Sequence, residues 1–88
     1  MPKNRVNPGK RLRAIRWAHG LSLRDVHHTS LKLARRLRNK KFVLPPSRLH
    51  HIERKDSIPS IHRLYTLAYI YGWDMRELAR WYGVPRSL

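Results

Sequence analysis

Positively charged side chains dominate the chemistry that this chain can perform. Twenty of its 88 residues are lysine or arginine and five are acidic, which gives a formal net charge of +15. Residues 1–55 carry sixteen of these cations against Asp25 and Glu53 alone, whereas residues 56–88 carry four cations against three acids. A charge excess confined to one half of a chain indicates a surface for a polyanion such as nucleic acid, or for an anionic membrane.

The histidines and the few acids do not form a pattern that supports catalysis or metal binding. His27-His28 and His50-His51 are adjacent pairs, and neighbours on a helix point about 100° apart, so one pair cannot hold one ion. The chain has no cysteine, no His-Glu-x-x-His spacing and no pair of acids placed for general acid–base work. We expect no enzymatic activity, no metal site and no cofactor.

The stretch SRLHHIERKDSIPS, residues 47–60, is the part of the sequence that best predicts a presented helix. Leu49 and Ile52 fall at helical spacing and provide one apolar face, while basic and polar side chains surround them. Ser47 is the expected N-cap of this helix, and Pro59-Ser60 is expected to begin the next one.

Four other helices follow from caps and apolar spacing. The first is expected over Gly9–His19, and the second starts at Ser22-x-x-Asp25, a capping-box variant, and continues to about Arg38. A loop with two prolines, residues 39–46, precedes the presented helix. The last two helices are expected from Ser60 to Gly72 and from Asp74-x-x-Glu77 to Gly83. No segment alternates with the period of a strand, so the fold class is all-α with five helices and a long second helix.

The same pattern predicts one small domain over residues 9–84, between a flexible basic arm at 1–8 and a tail at 85–88. No apolar run approaches eighteen residues, and residues 1–20 lack the apolar region of a signal peptide. We therefore expect a soluble protein of the cytoplasm without a membrane partner.

Taken together, these motifs resemble the lambda-repressor-like, XRE-type helix-turn-helix DNA-binding domain. The resemblance covers about five-sixths of the chain and depends on an ordered set of residues rather than on any one of them. The matching residues are Gly9, Leu12, Arg16, Gly20-Leu21-Ser22, Asp25-Val26, Leu49-x-x-Ile52-Glu53, Pro59-Ser60, Leu64, Leu67-Ala68, Gly72 and Asp74-x-x-Glu77-Leu78.

The chain departs from the family between its second and third helices. About a dozen extra residues, around 31–42, replace the tight glycine turn that leads into the recognition helix. His27 and Leu31 stand where the family has a small residue and a glycine, and Pro46 replaces a polar residue that reads bases. Lys55 stands where the family prefers glycine after the recognition helix.

The resemblance implies a function in sequence-specific binding of double-stranded DNA, as a prokaryotic or phage transcriptional regulator associated with the nucleoid. The third helix would then lie in the major groove, with Ser47, Arg48 and His51 on base edges. Glu53 would form a structural ion pair with Arg16, and Trp81-Tyr82 would offer a surface for a homodimer. The candidate phosphate contacts are Arg5, Lys10, Arg24, Arg35, Arg36, Lys40, Lys41 and Arg54.

Two other functions are compatible with the sequence. The net charge alone equally permits an RNA-binding or ribosome-associated module, and helix-turn-helix scaffolds also serve as antitoxin-like protein-interaction domains. For the basic run over residues 32–41, the alternatives are an extended contact along a nucleic-acid backbone and a solvated helix face. The arm with Lys3 and Arg5 is expected first of all to be disordered, and the alternatives are that it lies along DNA or enters a minor groove.

Overall fold

The computed structural model of the protein describes residues 7–55 and 57–85, which form five α-helices and one short 3₁₀ helix. The elements are α1 (Pro8–Ala18), α2 (Leu23–Leu37), the 3₁₀ helix (Lys40–Phe42), α3 (Pro46–Arg54), α4 (Ile61–Tyr71) and α5 (Met75–Trp81). These residues contain no strand, so the predicted all-α class and the long second helix are confirmed. In the described ranges, no helix has the length and apolar character needed to cross a bilayer.

Most of the helices begin at the caps that the sequence predicts. At the start of α2, Ser22 Oγ accepts from the amide of Asp25 at 3.0 Å and the Asp25 carboxylate accepts from the amide of Ser22 at 2.8 Å. The hydrogen bond from the Ser22 amide lowers the pKa of Asp25. Ser60 and Asp74 cap α4 and α5. Asn7 caps α1, so this helix begins at Pro8, inside the predicted arm, and the rest of that arm lies outside the described residues.

The predicted cap of α3 is wrong. Pro45 occupies the N-cap position, Pro46 is the first helical residue, and no side chain caps the helix. Proline is well suited to the first helical position, because it has no amide hydrogen to leave unpaired there and its fixed φ matches the helix. Ser47 therefore lies inside the first turn, and its hydroxyl is not engaged as a cap.

Glycine ends three of the helices in the left-handed conformation, and α2 ends differently. Gly20, Gly72 and Gly83 have φ values of 69°, 72° and 90°, whereas α2 is terminated by Arg38 with φ 55°. An arginine in this conformation costs about 1 kcal/mol more than glycine would. Lys55, which follows α3, has φ −115° and therefore does not adopt a left-handed backbone.

A single apolar core joins all five helices and the segment before α3. The residues that are essentially inaccessible are Leu12, Val26, Leu44, Leu49, Ile52, Leu67 and Leu78. Leu44 belongs to the loop predicted over 39–46, which also contains the unpredicted 3₁₀ helix. Two apolar residues at helical spacing on α2 and α4 are exposed, Leu37 at 41% and Ile61 at 68%.

Candidate nucleic-acid interface

Helix α3 separates a buried apolar side from an exposed polar side. Leu49, Ile52 and Glu53 are buried against the core. At about 100° per residue, Ser47 and His51 lie on the opposite side, and both are exposed. Arg54 extends this exposed row toward the end of the helix.

Arg48 and His50 flank this row on α3. Both side chains are exposed, and they lie on the two sides of the line through Ser47 and His51. The sequence-based set of base contacts omits His50, although the same helical periodicity places it beside that row. The exposed side of α3 thus offers five polar or basic side chains over a helix of nine residues.

A buried ion pair fixes α3 to α1. Arg16 Nε lies 2.7 Å from Glu53 Oε2 and Arg16 Nη2 lies 2.8 Å from Glu53 Oε1, so the pair is bidentate. The remaining guanidinium nitrogen donates to the carbonyl oxygen of Leu21 at 3.0 Å, which also ties the turn before α2 to the pair. The hydrogen bonds to Glu53 raise the pKa of Arg16, which keeps its guanidinium protonated.

Close backbone contact at Gly9 holds the start of α1 against the end of α3. A Cβ atom at position 9 would lie 2.6 Å from the carbonyl oxygen of Glu53 and 2.7 Å from that of Ile52. Only glycine permits this approach. The contact places the neighbouring Lys10, which is exposed, near the C-terminal end of α3.

The other candidate phosphate contacts are distributed over both ends of α2. Arg24 is exposed in the first turn, and Arg35 and Arg36 are exposed in the last turn. At 1.5 Å per residue, the two ends are about 18 Å apart, so α2 does not bring these cations together. Lys40 and Lys41 are exposed in the 3₁₀ helix that leads into α3, and Arg5 lies outside the described residues.

Several aromatic residues lie outside the core. Tyr71 is buried, whereas Trp17 is 60% exposed and Tyr65, Tyr69 and Trp73 are also exposed. The guanidinium of Arg13 lies 5.2 Å from the centre of the Trp17 ring. Trp17 therefore presents an aromatic ring flanked by positive charge, and the spacing of four residues between Arg13 and Trp17 on α1 accounts for their contact.

Residues 7–55 and 57–85 contain no group of three or more His, Asp or Glu side chains arranged to hold a metal ion. Comparison of the chain with protein-family models, curated proteins and solved structures gave no match. A function for this chain is therefore supported by the set of residues on and around α3 and by their geometry.

Proposed function

We propose that the protein binds double-stranded DNA in a sequence-specific manner and acts as a transcriptional regulator. In this function α3 enters the major groove, and Ser47, Arg48 and His51 contact the edges of the bases. Arg48 can donate two hydrogen bonds to O6 and N7 of a guanine, while serine and histidine accept a wider range of partners. His50 and Arg54 complete the exposed side of the helix.

The observation that carries this proposal is that α3 exposes a polar side while its buried side is fixed to α1. The bidentate pair of Arg16 and Glu53 and the close approach at Gly9 fix α3 relative to α1. A helix that reads base edges benefits from such rigidity, because the side chains are positioned before binding and lose less entropy on binding.

The position of α3 in the chain also supports DNA as the ligand. Since Pro45 and Pro46 leave the first turn without a side-chain cap, its amide groups are available to an anion. Lys10 near one end of α3 and Lys41 before the other end are exposed cations. Phosphates on both sides of a major groove would meet positive charge in this arrangement.

A selection of duplexes from a random pool, followed by Arg48→Ala, tests the proposal. We expect the wild type to enrich one motif. Arg48→Ala should weaken the binding free energy for that motif by about 1–3 kcal/mol, because a bidentate contact to guanine discriminates against other bases by that amount. Its affinity for unrelated duplexes should not change. Arg80→Ala, which removes an equal charge paired with Glu77 on α5, is the matched control. Enrichment of no motif, or equal loss for every duplex, would contradict base reading.

An RNA-binding function is the alternative that a specific observation favours. Trp17 is exposed and stacked against Arg13, an arrangement that can stack with an unpaired base. If a single strand is the ligand, Trp17→Ala should weaken binding while Arg48→Ala leaves the preference for sequence unchanged. The same selection with RNA and DNA pools separates the two functions.

We also propose that two copies associate through a groove between α4 and α5. The groove has a volume of about 360 Å³ and is lined by Ile58, Ile61, Met75, Ala79, Tyr82 and Val84, among others. The charges beside it are paired within the chain, Arg76 with Asp74 and Arg80 with Glu77. Since residues 56–88 have a net charge of only +1, this is the side on which two copies of a +15 chain repel each other least.

A further inference from the structure

Six cations, which we call the basic ridge, lie within ten residues of the chain, in the last part of α2, the turn after it and the 3₁₀ helix. They are Lys32, Arg35, Arg36, Arg38, Lys40 and Lys41, and all six are exposed. Among residues 7–55, the two acids are engaged elsewhere, since Glu53 is buried with Arg16 and Asp25 closes the cap of α2. Cations three and four residues apart on a helix repel each other, so this ridge weakens α2 in the absence of a counter-anion.

The backbone of Arg38 is the strongest sign that the ridge has a ligand. Arg38 is the non-glycine residue with positive φ in the described chain, at a position where α1, α4 and α5 use glycine. A glycine at position 38 would adopt the left-handed conformation without strain, and the protein would lose only the arginine side chain. An arginine held in a strained conformation at a basic surface indicates that its guanidinium has a role in binding.

The part of the ridge in the 3₁₀ helix is held in place by side chains from two helices, α2 and α4. The amide of Leu44 donates to Ser30 Oγ at 2.9 Å in the core, and Thr66 Oγ1 donates to the carbonyl oxygen of Phe42 at 2.7 Å. Asn39 Oδ1 accepts from the amide of Lys41 at 2.9 Å. Lys40 and Lys41 therefore project from a fixed backbone, and binding an anion does not require this segment to become ordered.

The ridge adjoins α3. Only residues 43–45 separate the 3₁₀ helix from α3, and three residues span at most about 10 Å. A duplex that contacts the N-terminal turn of α3 would thus continue past the 3₁₀ helix. Arginine and lysine side chains supply many of the hydrogen bonds that proteins make to phosphate oxygens, and such contacts carry no sequence information of their own.

We infer that the basic ridge is a second, sequence-independent surface, which binds the phosphate backbone of the duplex that flanks the site contacted by α3. The identity of its ligand as duplex DNA rests on the proposed function. The ridge supplies affinity and length of contact, and α3 supplies the choice of sequence.

The salt dependence of binding and the length of the duplex test this inference. Each phosphate contact that is lost should reduce the slope of log K against log salt by about 0.9, so Lys40→Gln with Lys41→Gln should reduce it by about 1.8. The enriched motif with random flanks should bind the wild type more tightly than the same motif without flanks, and the variant should lose this advantage. Arg11→Gln with Arg80→Gln removes the same charge elsewhere, from a cation that lies over Trp81 and one paired with Glu77, and should change neither quantity.

Arg38→Gly separates a binding role from a structural one. We expect this variant to melt about 4–8 °C higher, because the left-handed strain is relieved. Its salt slope should fall by about 0.9. A higher melting temperature with an unchanged slope would overturn the role given to Arg38.

The two proposals fail in different ways. If the selection enriches no motif while the ridge variants still reduce the slope, base reading by α3 is wrong and the ridge remains as a nucleic-acid surface. If a motif is enriched and Arg48→Ala abolishes the preference, while the ridge variants leave slope and flank dependence unchanged, the ridge is a solvated helix face.

Discussion

The pair of Arg16 and Glu53 fixes the position of α3, the helix that we propose reads DNA, from inside the protein. Both side chains are nearly inaccessible, and the Arg16 guanidinium bonds to Glu53 and to the backbone of Leu21. A buried ion pair of this kind adds little net stability, because desolvation opposes the attraction between the charges. Its effect is on geometry, because the guanidinium and the carboxylate keep their hydrogen bonds only while α3 holds its orientation relative to α1.

Removing one partner of this pair should be costly. We expect Glu53→Gln to lower the free energy of unfolding by about 3–5 kcal/mol, because the guanidinium of Arg16 would remain buried without a compensating charge. Urea unfolding followed by circular dichroism measures this change. Glu77→Gln, which removes an exposed carboxylate paired with Arg80, is the matched control and should cost no more than about 1 kcal/mol. Equal effects of the two variants would contradict a structural role for the buried pair.

At the scale of elements, the sequence predicts the helices well and their edges less well. Ser22 with Asp25, Ser60 and Gly72 mark helix ends through local chemistry, and the structure has the ends there. The prediction of Ser47 as the cap of α3 is wrong. A serine cap and a proline at the first helical position are both common, and the local sequence does not distinguish between them. The 3₁₀ helix has a local cap in Asn39, but the segment around it is also held by bonds from Ser30 and Thr66, which are distant in the chain and which no local pattern contains.

Of the candidate surfaces, the sequence predicts the exposed side of α3 but not the groove between α4 and α5. The exposed side of α3 follows from its periodicity, because Leu49 and Ile52 define the buried side. The groove between α4 and α5 did not follow, since it forms from residues far apart in the chain, from Ile58 to Val84. The exposure of Ile61 likewise depends on which elements pack on α4.

The contact between α1 and α3 gives a prediction at this scale. Gly9→Ala should destabilise the protein by about 1–3 kcal/mol, because the added methyl group overlaps the carbonyl groups of Ile52 and Glu53 and forces the helices apart. It should also weaken DNA binding by displacing α3. Gly20→Ala is the control, since its Cβ would meet open space and the cost of about 1 kcal/mol arises from its positive φ alone. Thermal unfolding and binding measured on both variants distinguish the two mechanisms.

Across the whole molecule, the charge is unevenly divided between the two halves of the sequence. Residues 1–55 carry a net charge of +14 and include α3 and the basic ridge, whereas residues 56–88 carry +1 and include the residues that line the apolar groove. In the function that we propose, the first half binds a polyanion and the groove contacts a second copy of the chain. Two copies that share the groove symmetrically would present two α3 helices to one duplex.

Self-association tests this arrangement. Ile58 and Ile61 are 74% and 68% exposed beside the groove, so charging them should not unfold the monomer. We expect the wild type to dimerise in sedimentation equilibrium and to select paired half-sites about 10 base pairs apart or a multiple of that distance. Ile58→Glu with Ile61→Glu should weaken dimerisation at least tenfold, while Tyr69→Glu, an exposed position on α4 outside the groove lining, should not. A wild type that stays monomeric at high concentration and selects a single half-site would show that the groove does not bind a second copy.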